Sequence, residues 1–169
     1  MKVFRYPGRA VAGDYIRAAA GIVIGFGVLL SVPPTPAIIL VFGGVAGLFS
    51  LFGFRTLQRQ MTKVAVTDAE ICRAGFGSRV MSWSDLERLK LRYYGTKRQE
   101  RAQGGFMELT LKGGGASLAC DSGIDGFRYI AWRAAKAARD NGVSVDPASA
   151  GNLLALGIDA DGEVPPPEL

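Results

Sequence analysis

The chain reads as a two-helix membrane hairpin followed by an α+β soluble domain, an antiparallel β-meander capped by a C-terminal helix. Three observations carry this reading. No residue from Ala18 to Phe54 is charged. Past Lys63 the apolar residues alternate with a period of two. From Asp125 they fall at helical spacing.

The hairpin comes first. Pro33, Pro34 and Pro36 divide the uncharged run. Proline cannot donate an intrahelical hydrogen bond and disfavours helix at the residue before it. The run therefore predicts a helix from Tyr15 to Val32, a tight turn, and a second helix from Pro36 to Phe54. At 1.5 Å per residue each is roughly 27–28 Å long, just enough for a hydrocarbon core of about 30 Å. Arg17 and Arg55 close the ends and can snorkel outward. Lys2, Arg5, Arg9 and Arg17 precede the hairpin against a single acid, Asp14; Arg55, Arg59 and Lys63 follow it, and the turn is uncharged. The positive-inside rule then puts both termini in the cytoplasm, a multi-pass inner-membrane topology. Two other readings of the apolar run are a cleaved signal peptide and a hairpin dipping into one leaflet. The prolines offer no small-x-small cleavage site and a second apolar run follows at once, which weighs against the first. Gly21 and Gly25 form one GxxxG, Gly43 and Gly47 another. Such spacing lets helix backbones approach, either within the hairpin or between this chain and a partner or second copy.

The domain organisation follows: a basic N-terminus over 1–14, the hairpin over 15–54, a juxtamembrane linker over 55–61, the β domain with its helix over 62–142, a short helix within 143–158, and a disordered acidic tail over 159–169. In the β domain, Val64 and Val66 alternate with Ala65 and Thr67, and Thr67 to Glu70 turns the chain into Ile71-Cys72-Arg73. Gly75 and Gly77 precede Arg79 to Trp83. Along Leu86–Tyr94, Leu89, Leu91 and Tyr93 point one way and Arg88, Lys90 and Arg92 the other. Met107, Leu109 and Leu111 alternate in the same manner, and Gly113 to Gly115 turns the chain into Ala116 to Cys120. Six strands result, with one buried face. The closing helix, Asp125 to Asn141, carries a stripe of Phe127, Ile130, Ala131, Ala134 and Ala138, and Gly142 is placed to stop it. Asp146-Pro147 then starts the short helix, with an acid at the N-cap and proline at N1.

Val66-Thr67-Asp68-Ala69-Glu70-Ile71 as an opening β-hairpin, Ser82-Trp83-Ser84-Asp85-Leu86 as a W-x-D-[LI] entry to the next strand, and Gly126-Phe127 opening the last helix resemble the bacterial PH-like (pleckstrin-homology-like) domains found behind membrane helices. The resemblance covers about Thr62 to Asn141. It implies a scaffold for lipid, peptide or subunit contacts, and it implies seven strands where the pattern offers six.

Composition limits the chemistry. The 169 residues contain no histidine, which removes the commonest general acid/base and metal ligand. Cys72 and Cys120 form no CxxC and, without histidine, no zinc set; they read as reduced, buried strand residues, with a disulfide as the alternative. No catalytic, cofactor or metal residue is assigned. Trp83 reads as a packing residue before a ligand platform, and the pairs Asp68/Glu70 and Asp85/Glu87 as turn and surface residues. The formal net charge is +5, as the orientation rule alone would give. The segment from Arg88 to Arg101 mixes cations with Tyr93 and Tyr94. It reads as a solvated strand face, a surface for anionic lipid, a protein contact or, least favoured, a nucleic-acid contact. The candidate contact residues are Arg55, Arg59, Lys63, Lys90, Arg92, Lys97, Arg98, Arg101, Trp132 and Lys136. The expectation is a non-enzymatic membrane-anchored adaptor or accessory subunit, partnered by the lipid bilayer and by a membrane protein or a second copy. A component of a membrane enzyme or transport complex is the alternative, although the spans offer no polar groups beyond Ser31, Thr35 and Ser50.

Overall fold

A computed structural model describes residues 1–75, 77–95 and 105–159. The chain divides into two compact units: Tyr6–Thr62, and a second unit assembled from Met1–Arg5 and Lys63–Leu169.

The first unit is a helical hairpin of α1 (Gly8–Ser31) and α2 (Pro36–Met61). The Thr35 hydroxyl accepts from Ile38 N at 3.3 Å, and Pro36 occupies the first helical position, so the turn ends and restarts helix with local chemistry. Both helices are long and apolar enough to cross a membrane. They also leave much of their apolar surface open: Ile16 is 70% exposed, Val23 69%, Leu30 85%, Leu40 78% and Leu48 65%. A core helix of a soluble domain would bury such residues.

The helices outrun the apolar segment. Residues 55–61, expected as a linker, are the uninterrupted last turns of α2, and α1 begins at Gly8, not Tyr15. Thr56-Leu57-Gln58-Arg59-Gln60-Met61 holds no glycine or proline, so the change in polarity does not end the helix. The polar turns are tied across the hairpin. Tyr15 Oη donates to Gln60 Oε1 at 2.6 Å, and the Arg59 guanidinium lies 4.9 Å from the centroid of the Tyr6 ring. Of the two GxxxG pairs, only the first packs the hairpin. A Cβ at Gly21 would clash with the Phe49 ring, and one at Gly25 would stand 2.8 Å from the Ala46 Cβ. At Gly43 and Gly47 a Cβ would meet nothing within 4 Å.

Among the described residues the second unit has seven strands where six were expected. The additional strand is β1 (Lys2–Arg5), from the segment read as a basic flank. It pairs antiparallel with β2 (Lys63–Val66), Phe4 opposite Val64. β3 (Glu70–Ala74) and β4 (Arg79–Ser82) complete a sheet of order β1-β2-β3-β4. A short 3-10 turn, Trp83–Asp85, leads to β5 (Leu86–Tyr94), β6 (Phe106–Gly113) and β7 (Ala116–Asp121), which form a second antiparallel sheet. Among the described residues no ladder joins the two sheets. Their inner faces meet around Val64, Ile71, Leu109, Leu111, Leu118 and Cys120, enclosing a void of only about 10 Å³.

Two helices finish the unit. α3 (Phe127–Asp140) buries all of Phe127, Ile130, Ala131, Ala134 and Ala138, the stripe its sequence offers. It starts at Gly126, held at φ +67°, where any Cβ would strike the Phe4 ring; only glycine satisfies both demands. α4 (Pro147–Ala155) lies along β5. Its Ser149 Oγ accepts from Leu91 N at 2.9 Å, and Asn152 Nδ2 donates to Leu91 O at 2.8 Å. These side chains satisfy backbone groups that an edge strand otherwise leaves open.

Candidate functional site

Trp83 is 4% exposed. Its indole N–H donates to Thr67 O at 3.0 Å, the Arg133 guanidinium stands 4.8 Å from its ring centroid, and Asn141 Nδ2 donates to its carbonyl at 2.7 Å. These contacts join the β2–β3 turn to α3, so Trp83 is a packing node and offers no open ligand platform. Cys120 is buried, and desolvation, reinforced by the charge of Asp121, pushes its thiol up to about 12. Cys72 is half-buried in β3 with its Sγ 4.0 Å from Ser78 Oγ. Neither cysteine is in a disulfide. Among the described residues no group of three His, Cys, Asp or Glu side chains could hold a metal ion.

The described candidate contact residues fall on several elements. Arg55 and Arg59 belong to the polar turns of α2, Arg55 exposed and Arg59 half-buried. Lys63 is exposed on β2, opposite Arg5 in the ladder. Trp132 and Lys136 lie on α3, where the Trp132 ring is 5.6 Å from Tyr129 and Lys2 Nζ is 4.1 Å from the Tyr129 centroid. Lys97, Arg98 and Arg101 lie outside the described residues.

Lys90 and Arg92 sit on the outer face of the β5-β6-β7 sheet, and the register there shows more than the strand pattern did. Three cross-strand rows fill that face: Arg88, Lys112 and Ser117; Lys90, Thr110 and Ala119; Arg92, Glu108 and Asp121. Arg92 is thus compensated by Glu108 opposite it. It also donates to Tyr94 Oη at 3.4 Å, and that hydrogen bond, more than any charge, holds its guanidinium above the ordinary arginine range. Arg88 faces Lys112 directly, with Lys90 diagonal to Lys112. At the far end of the face, Tyr94 and Phe106 stack with centroids 5.2 Å apart and remain 38% and 48% exposed. Beside Arg88 and Lys90 an open groove of about 380 Å³ is bounded by Leu89, Ser144 and Asp146. Asp146 is occupied as the cap of α4, accepting from Ser149 N at 3.0 Å and Ser149 Oγ at 2.7 Å. Those hydrogen bonds hold its carboxyl below the usual range.

Sequence reasoning placed Arg88 on the same face as Lys90 and Arg92 but left it out of the candidate contact residues, and it did not single out Lys112 or the Tyr94/Phe106 pair. Alternation within β5 and within β6 placed each residue on a face. The pairing of Arg88 with Lys112 depends on the register, which the long connection between the strands left open.

No protein-family model, no curated protein and no solved structure matches this chain.

Proposed function

We propose that the chain is a non-enzymatic, membrane-anchored adaptor or accessory subunit, with a PH-like domain presented at the cytoplasmic face of a bacterial inner membrane. The observation that carries the reading is the place of the helical hairpin. In chain order, two helices with open apolar surfaces follow β1 and precede its partner β2, joined to them by Tyr6-Pro7 and Thr62. A bilayer would cover that surface, since about 25 cal/mol per Å² of apolar area favours its removal from water. The cations at both ends of the hairpin favour a cytoplasmic domain. Four strands, then three, then a helix support a PH-like arrangement. The lack of histidine and the apolar spans support a binding role over catalysis. Gly43 and Gly47, open on α2, favour a second membrane protein as partner.

The test labels Cys72 with a membrane-impermeant maleimide in sealed vesicles of both orientations. The reading expects labelling in inside-out vesicles and none in right-side-out vesicles. Labelling only in right-side-out vesicles would reverse the topology, and release of the chain from membranes by alkaline carbonate would end the anchored reading. Recovery of one membrane protein with the full chain in mild detergent would identify the partner.

A further inference from the structure

We infer that the outer face of the β5-β6-β7 sheet is a docking surface for anionic phospholipid headgroups, with Arg88, Lys90 and Lys112 as the phosphate-binding group. The inference rests on the membrane-anchored reading and adds to it the ligand class and the residues.

Arg88 and Lys112 are directly opposed in the ladder. Like charges in that relation destabilise a sheet, whereas opposite charges stabilise it. The neighbouring positions on the face are Thr110, Ser117 and Ala119, all neutral. Among the described residues none of the three cations forms an ion pair. The nearby acids have other engagements: Glu108 and Asp121 share the row of Arg92, and Asp146 caps α4. Glu87 is exposed at the bulge between Leu86 and Arg88, outside the ladder register. Lys90 is felt by the Asp146 carboxylate, but the direct opposition of Arg88 and Lys112 works against the sheet; an outside phosphate relieves it, because several cations at cross-strand spacing converge on one surface.

The lipid headgroup is favoured as the source of that phosphate by the rest of the face. Tyr94 and Phe106 leave a stacked, partly exposed aromatic pair on the same side as the cations. Aromatic rings with adjacent cations match the layering of a bilayer interface, where rings sit at headgroup depth. A free phosphate has no use for the rings. The tether also keeps the domain near one leaflet, so the headgroup is present at high effective concentration.

The test uses the full chain in nanodiscs and measures acetylation of each lysine by mass spectrometry. With neutral phosphatidylcholine, Lys90 and Lys112 should react at ordinary rates. With half phosphatidylglycerol, both should slow by about fivefold or more relative to their own rates in the neutral discs, since one cation near an anionic surface contributes about that factor. Salt at about 1 M should abolish the difference as the screening length falls to about 3 Å. Arg88→Gln should weaken the protection about fivefold, while Arg88→Lys should keep it. Equal rates in the two lipids, or protection unchanged in Arg88→Gln, would overturn the inference while leaving the anchor intact. Protection in neutral discs on adding inorganic phosphate would overturn the choice of lipid. Failure of the chain to remain in the discs would instead defeat the anchored reading itself.

Discussion

Cys120 shows how one side chain's surroundings decide its chemistry. A thiolate needs solvation, and the space between the sheets offers none, so the thiol is held up to about 12 against an ordinary 9.0. The thiolate, not the thiol, reacts with alkylating agents. In the folded chain at pH 8–9, iodoacetamide should therefore modify Cys72 and spare Cys120 until denaturant is added; peptide mapping reads the result. The same burial carries a pH sign. The folded state holds the proton more tightly than the unfolded state, so this contribution is complete below about pH 9 and declines as pH rises toward 12. A Cys120→Ala variant should show a shallower alkaline fall in stability than the parent, measured by denaturant unfolding.

Helices α1, α2 and α4 each make a contact that isolates what an element contributes. Ser149 is 1% exposed, and its hydroxyl accepts from Leu91 N while donating to Asp146. Ser149→Ala would leave a buried strand N–H without its partner, costing about 1–3 kcal/mol. Chemical unfolding of the full chain in detergent, followed through the β signal, should register that loss. In the hairpin unit, the first GxxxG pair is closely packed and the second is open. Gly21→Val and Gly25→Val would drive a branched side chain into Phe49 or Ala46 and should part the hairpin, abolishing disulfide trapping between cysteines introduced at Ala18 and Gly53. Gly43→Val and Gly47→Val should leave that trapping unchanged. Equal effects from both pairs would contradict the assignment of the first pair to the hairpin.

Across the whole molecule, the second unit is discontinuous: among the described residues its first strand precedes the hairpin and its other six follow it. Fragment behaviour should follow from this. A fragment of residues 62–145 lacks β1, which pairs along β2 and supplies Phe4 beneath α3, and it lacks α4, which satisfies Leu91. It should aggregate or unfold below about 45 °C, the lower end of ordinary domain midpoints. A chain joining residues 1–5 to 63–159 through a short glycine linker should instead be soluble and unfold cooperatively, as seen by circular dichroism. If 62–145 proved as stable as the joined chain, β1 would be an ornament of the sheet and not part of its core.

What could be read from the chain before its structure was known follows from local rules. An uncharged run divided by prolines determines two apolar helices, because charge and proline act within a few residues. Alternation determines which residues of β5 and β6 face the core, and the stripe on α3 is set by the helical repeat alone. Trp83 and the short helix after Asp146 were legible for the same reason. The remainder depends on residues far apart in sequence. Lys2–Arg5 carries too few residues to signal a strand, and its pairing with β2 and its contacts with Tyr129 and Asp125, all distant in sequence, make it one. The helical state of residues 55–61 was hidden by reading a polarity change as a boundary. The opposition of Arg88 to Lys112 exists only once the register is fixed, because a pattern of period two names the face of a residue and never its neighbour across the ladder.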